Sequence, residues 1–194
     1  MTVVRLADRQ LAIHSVIPCS DVTEAAIRAL GEVRYLIVPN LQHTRFINEW
    51  QPRYPDAQVA MPAATQLKQP VSPKHTTQPV NHDNLLCLPV NGIPRLQEYV
   101  FFHPQSRTLI LTDLAFNLGG EMSLWGKSFL QLNGAYNRFT PSRLLKLWIK
   151  ERAAFRSSIQ QIMQWDFEQI IISHGTPITE DARQVFSEAF EWVR

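Results

Sequence analysis

Residues 11–40 read LAIHSVIPCSDVTEAAIRALGEVRYLIVPN, and this stretch decides the fold class. LAIHSVIP is apolar and partly β-branched, as a strand is, and runs into a proline turn. Ser20 and Asp21 then offer capping side chains to DVTEAAIRAL, and Gly31 stands where a helix stops. VRYLIV follows as a short, largely apolar strand closed by Pro39-Asn40. Strand, helix and second buried strand make a βαβ unit, whose two strands run parallel because a crossover helix joins them.

Outward from this unit, Thr44 is placed to cap a helix over RFINEWQPRY, and AQVAM reads as the next strand. From Met61 to Asn84 the chain is rich in Pro, Gln, Thr and His without sustained periodicity, the pattern of a long surface loop. EYVFFH and TLILTD flank the polar turn PQSR, which predicts a β-hairpin. If His103 pairs with Thr108, the ladder places Glu98 opposite Asp113; a one-residue slip would change every pair. Residues 115–139 read as a loop with short helical pieces, carrying Trp125, Phe129, Tyr136 and Phe139. Thr140-Pro141 are expected to open one long helix with an apolar stripe of Leu144, Trp148, Phe155, Ile159 and Ile162. QIIIS is a further buried strand ending at His174-Gly175, and TEDARQVFSEAFEWV follows as an amphipathic helix. The whole chain, 1–194, is expected to form one domain.

The 194 residues are 45% hydrophobic, enough to bury a core, which excludes a wholly disordered chain. With 19 basic and 17 acidic residues the net charge is +2, so nothing demands a polyanionic partner, and nucleic acid is not expected. Arg143, Lys146, Lys150, Arg152 and Arg156 are read as a solvated helix face. Cys19 and Cys87 have neither metal-type spacing nor the number for a disulfide framework. No apolar run approaches the ~20 residues of a membrane-spanning helix. A cytoplasmic protein acting on a small-molecule ligand or substrate is the expectation.

Polar residues recur where strands end: His14-Ser15, then Asn40-Leu41-Gln42-His43, then Thr112-Asp113, then Ser173-His174. In α/β folds ligands gather beyond strand ends, so these four places are the candidate site. His103, at the hairpin turn, is expected at the opposite end from Asp113 and is read as structural. His75 and His82 are read as solvated loop residues, and Ser15, Cys19 and Cys87 lack the spacing of an activated nucleophile. Gly119-Gly120 is not a phosphate loop, because no Gly-Lys-Ser/Thr follows.

On HSVIP, RYLIVPNLQHTRFINEW, EYVFFHPQSRTLILTDLAFN and FEQIIISHG, the chain resembles the metallo-β-lactamase fold superfamily, and within it a degenerate branch of unknown function. The resemblance covers nearly the whole chain. It implies a four-layered αββα sandwich, α/β in class, with a metal site at one edge of the two sheets. Many members are zinc- or iron-dependent hydrolases or oxidoreductases.

The superfamily's main motif, Thr-His-x-His-x-Asp-His, falls on Pro39 to Arg45. Asn40 and Gln42 therefore stand where His ligands are expected, Thr44 where the Asp is, and Arg45 where the last His is. His43 is the sole imidazole there, one position out of register. VNGIPRLQ, before the hairpin, lacks the next expected His. Asp113 matches the carboxylate at a strand end, and His174 the final ligand before Gly. A dinuclear set cannot be filled; a mononuclear one can, from His43, Asp113 and His174 with His14 or Glu98 as further donors. The ion would be a single zinc, iron or manganese. Against it, Arg45 brings a fixed positive charge, and an Arg45–Asp113 ion pair would do the metal's electrostatic work instead.

Two readings follow from the resemblance. One is a mononuclear hydrolase of an ester, thioester or phosphoester, with Asn40 and Arg45 toward the substrate. The other is an inactive ligand-binding or scaffold module that has lost the metal.

Overall fold

A computed structural model of the chain describes residues 1–67, 80, 82–119, 128, 131, 136 and 138–193. The chain divides into two units, Met1–Cys87 and Leu88–Arg194. Each is built around a four-stranded sheet of mixed direction.

In the first unit the strand order is β1 (Thr2–Arg5), β2 (Gln10–His14), β3 (Glu32–Ile37), β4 (Gln58–Ala60). The βαβ reading holds: β2 and β3 are parallel, with His14 level with Ile37, and helix α1 (Asp21–Leu30) joins them. Ser20 caps α1, its Oγ accepting from Thr23 N at 3.1 Å, and Gly31 ends it. β4 adds in parallel beside β3, pairing Ile37 with Ala60. The exits of β2, β3 and β4 therefore share one edge of this sheet. β1, which the sequence reading passed over, covers the outer edge antiparallel to β2. The helix expected from Thr44 is shorter: α2 spans Ile47–Trp50, starts at Phe46 without a side-chain cap, and tightens into turns through Tyr54. Trp50 anchors it, fully buried among Leu11, Ile13, Leu36 and Ile47, with Nε1 donating to Ile17 O at 2.7 Å.

The second sheet runs β5 (Leu86–Pro89), β6 (Tyr99–His103), β7 (Thr108–Ile110), β8 (Gln169–Ile171), and the boundary between the units falls inside β5. The hairpin has the expected register, His103 opposite Thr108 and Phe101 opposite Ile110. β8 lies parallel to β7, pairing Ile110 with Ile171. The entry to β6 and the exits of β7 and β8 thus meet at one edge, and the PQSR turn lies at the other.

The single long helix is corrected to two, α3 (Arg143–Trp148) and α4 (Arg152–Ile162). Thr140 does not cap α3, because its backbone is exchanged with Phe116, N to O in both directions at 2.9 Å. Ser142 is the cap, accepting from Leu145 N at 3.0 Å. The break between the helices has a cause: Gly92 O accepts from Lys150 N at 2.8 Å and from Glu151 N at 3.3 Å, drawing two amides out of helical pairing. Gly92 adopts φ +83°, and a Cβ there would meet Glu151 O at 2.4 Å, so only glycine fits. Leu144, expected in the apolar stripe, is instead 53% exposed, whereas Phe155, Ile159 and Ile162 are buried. Helix α5 (Ala182–Ala189) completes the unit, packing Phe186 against Phe190 and Phe167 at 4.6 and 5.7 Å between ring centroids.

His75, Trp125, Phe129, Gly120 and most of the 61–84 loop lie outside the described residues. His82 is not merely solvated: it bridges Leu85, and its Nδ1 accepts from Asn84 N at 3.1 Å. Phe139 is buried. Among the described residues no helix is long and apolar enough to cross a membrane.

Candidate metal centre

In the second unit, the shared edge of β6, β7 and β8 brings together Glu98, Asp113 and His174. Glu98 directly precedes β6 and is buried to 1% exposure. Its two carboxylate oxygens accept from Thr112 N and Asp113 N, each at 2.8 Å. The reading that set Glu98 opposite Asp113 is realised as this clamp. With each oxygen accepting one backbone amide, Glu98 anchors the β7 exit.

Asp113, held by that anchor, presents Oδ1 at 3.0 Å from His174 Nε2. Asp113 is 15% exposed at its side chain and His174 41%. The hydrogen bond to Asp113 raises the His174 pKa above the ordinary histidine value; partial burial opposes this, and the charges of Asp113 and Glu98 reinforce it. The ring also stacks on Phe116, 5.3 Å between centroids. His174 is fixed through its backbone as well. Its carbonyl accepts from Asn117 N at 3.2 Å, and Thr176 N donates to Asn117 O at 3.1 Å. Gly175 makes this close approach feasible: at φ +120°, a Cβ would stand 2.0 Å from Asn117 O.

In the first unit, the edge formed by the β2 and β3 exits carries His14, Ser15, Asn40 and His43. His14 is 1% exposed, and burial, with smaller contributions from His43 and the terminal amine, lowers its pKa to about 3, so the ring is neutral at physiological pH. Ser15 Oγ lies 2.6 Å from His43 Nδ1. Asn40, assigned toward the substrate, is fully buried, and its Oδ1 accepts from Gln42 N at 2.9 Å and His43 N at 3.0 Å. It shapes the loop that carries His43, as Asx turns do. Arg45 is exposed, its guanidinium over the Phe46 ring at 5.1 Å.

His103 stands at the far end of the hairpin from Asp113, as expected, with Nδ1 2.7 Å from Ser106 Oγ. The contact of Ser15 with His43 was missed by sequence reading. The available signal was that parallel β2 and β3 place their exits side by side, and Ser15 follows one while His43 follows the other.

No protein-family model matches the chain, and no curated protein does. Solved structures do. The chemotaxis sensor ODP, captured as a peroxy diiron species, superposes with a TM-score of 0.60 at 10% identity over 93% of this chain and 80% of its own. DIM-1 metallo-β-lactamase gives 0.59 at 14% identity over 99% and 86%. An archaeal metallo-β-lactamase superfamily protein from Sulfolobus tokodaii gives 0.59 at 10% identity over 98% and 78%. Likeness at such identities is a likeness of fold, since one fold hosts many chemistries. With its two mixed sheets and the strand-end placement of Asp113 and His174, the chain has the metallo-β-lactamase fold.

Proposed function

We propose that the chain is a metal-dependent hydrolase that holds one divalent ion through Asp113 and His174, with an ester, thioester or phosphoester as small-molecule substrate. The Asp113–His174 pair carries the reading. A carboxylate oxygen and an imidazole nitrogen aim at each other across 3.0 Å, each fixed by its own backbone clamp, where a proton now does the bridging. A cation can displace that proton, because metal ligation needs a deprotonated imidazole and an ionised carboxylate. Imidazole nitrogen and carboxylate oxygen are donors that suit zinc, iron or manganese. Such an ion would supply a water acidified enough to attack an ester near neutral pH. Within the protein, Glu98 keeps Asp113 oriented and Phe116 supports the His174 ring.

The inactive binding module stays as the second reading because of Asn40. At a position where the superfamily places a ligand, its side chain builds the loop. Elemental analysis of chain purified without chelators separates the two. The hydrolase requires about one zinc, iron or manganese per chain, lost in Asp113→Ala and His174→Ala. Substoichiometric content of all three in the unaltered chain refutes it.

A further inference from the structure

Ser15 is the first residue past β2, and its backbone is left-handed at φ +56°. That region costs a non-glycine residue about 1–2 kcal/mol. The strand exit alone does not account for it, since Ser15 N continues the sheet pattern by donating to Ile37 O at 3.0 Å. What the turn accomplishes is aim: the hydroxyl of this buried residue arrives 2.6 Å from His43 Nδ1. The other end of His43 is held by Asn40, which accepts from its backbone N–H at 3.0 Å. Backbone and ring are thus fixed independently, by residues at the exits of two adjacent parallel strands.

A neutral imidazole carries one N–H and one lone pair, and the partner of one nitrogen decides the state of the other. For Nε2 to offer a lone pair, Nδ1 must hold the hydrogen, and a hydroxyl oxygen at 2.6 Å is an acceptor for it. We infer that Ser15 is a positioning residue that keeps His43 in its Nδ1-protonated form, so that Nε2 is presented to a cation. The inference rests on the ligand role that the sequence gives His43, and it explains why a strained serine stands at this strand exit. Partners that fix the tautomer of a ligating histidine typically carry 10–100-fold in metal affinity.

The test keeps the two claims apart. In the metal-free full chain, long-range nitrogen–proton correlation spectra of His43 report which ring nitrogen is protonated. The expected result is protonated Nδ1 and unprotonated Nε2, shifting toward Nε2-protonated in Ser15→Ala. Ser15→Gly removes the same hydroxyl while relieving the left-handed backbone, so an equal shift assigns the effect to the hydroxyl and not to strain. Titration with zinc alone should then show 10–100-fold weaker binding in both variants. An unprotonated Nδ1 in the unaltered chain, or an unchanged tautomer in both variants, overturns the inference. The expected tautomer together with no zinc uptake supports Ser15's hold on the ring and refutes the metal-site reading alone.

Discussion

Replacing Glu98 is the sharpest perturbation of the β7 exit. Its carboxylate is 1% exposed and accepts two backbone hydrogen bonds, from Thr112 N and Asp113 N, both at 2.8 Å. A hydrogen bond to a charged group contributes roughly 1.5–3 kcal/mol, and a buried donor left unpaired costs a similar amount. Glu98→Gln keeps one acceptor, uncharged, and turns an amide N–H₂ toward the other backbone N–H, setting donor against donor. The sum is a loss of about 2–4 kcal/mol; Glu98→Ala, which removes both acceptors, should lose about 3–6 kcal/mol. Urea unfolding of chelated protein reads this directly. With a slope of about 2 kcal/mol per molar, Glu98→Gln lowers the midpoint by about 1–2 M at unchanged slope. Hydrogen exchange gives the local readout, since the amides of Thr112 and Asp113 should lose protection before those of β6. A midpoint within 0.2 M of the unaltered chain, with both amides still protected, would refute the clamp.

Three further outcomes are expected. His14 is neutral in the folded chain, so below its unfolded pKa of 6.5 only the unfolded state gains the proton; stability should fall by about 1.4 kcal/mol per unit from pH 6.5 toward 3, and His14→Gln should flatten that slope in acid-unfolding curves. His174 behaves in the opposite sense in metal-free protein: its raised pKa makes the pair with Asp113 stabilising below about pH 6.5, a contribution lost as pH rises through the folded value, and an NMR titration should show the pKa return toward normal in Asp113→Asn. Gly175→Ala drives a Cβ to 2.0 Å from Asn117 O at a positive φ, and should cost at least about 2 kcal/mol by thermal unfolding while detaching the His174 loop from Asn117.

Local periodicity made the βαβ unit, the hairpin register and the strand before His174 legible, because each is decided within a few residues. The register carried further, since pairing His103 with Thr108 placed Glu98 beside Asp113 before any contact was known. The break between α3 and α4 was not legible. Its cause is the carbonyl of Gly92, nearly sixty residues earlier, and no periodicity within 140–162 encodes a distant acceptor. β1 was missed because a four-residue edge strand, TVVR, has little alternation to read. At the candidate site, the residue types at strand ends were visible, but their partners were not. Ser15 shows why: a left-handed serine has no signature in the sequence, and its meaning comes from the neighbouring strand.

The Asn40 turn bears on which substitutions position 40 can accept. One oxygen there accepts two amides, including that of His43. An imidazole at position 40 would release both amides and with them the loop that carries His43. Another residue would have to take over the turn beforehand, so a histidine reaches this position only through at least two changes in a fixed order, and Asn40→His alone is the less stable intermediate.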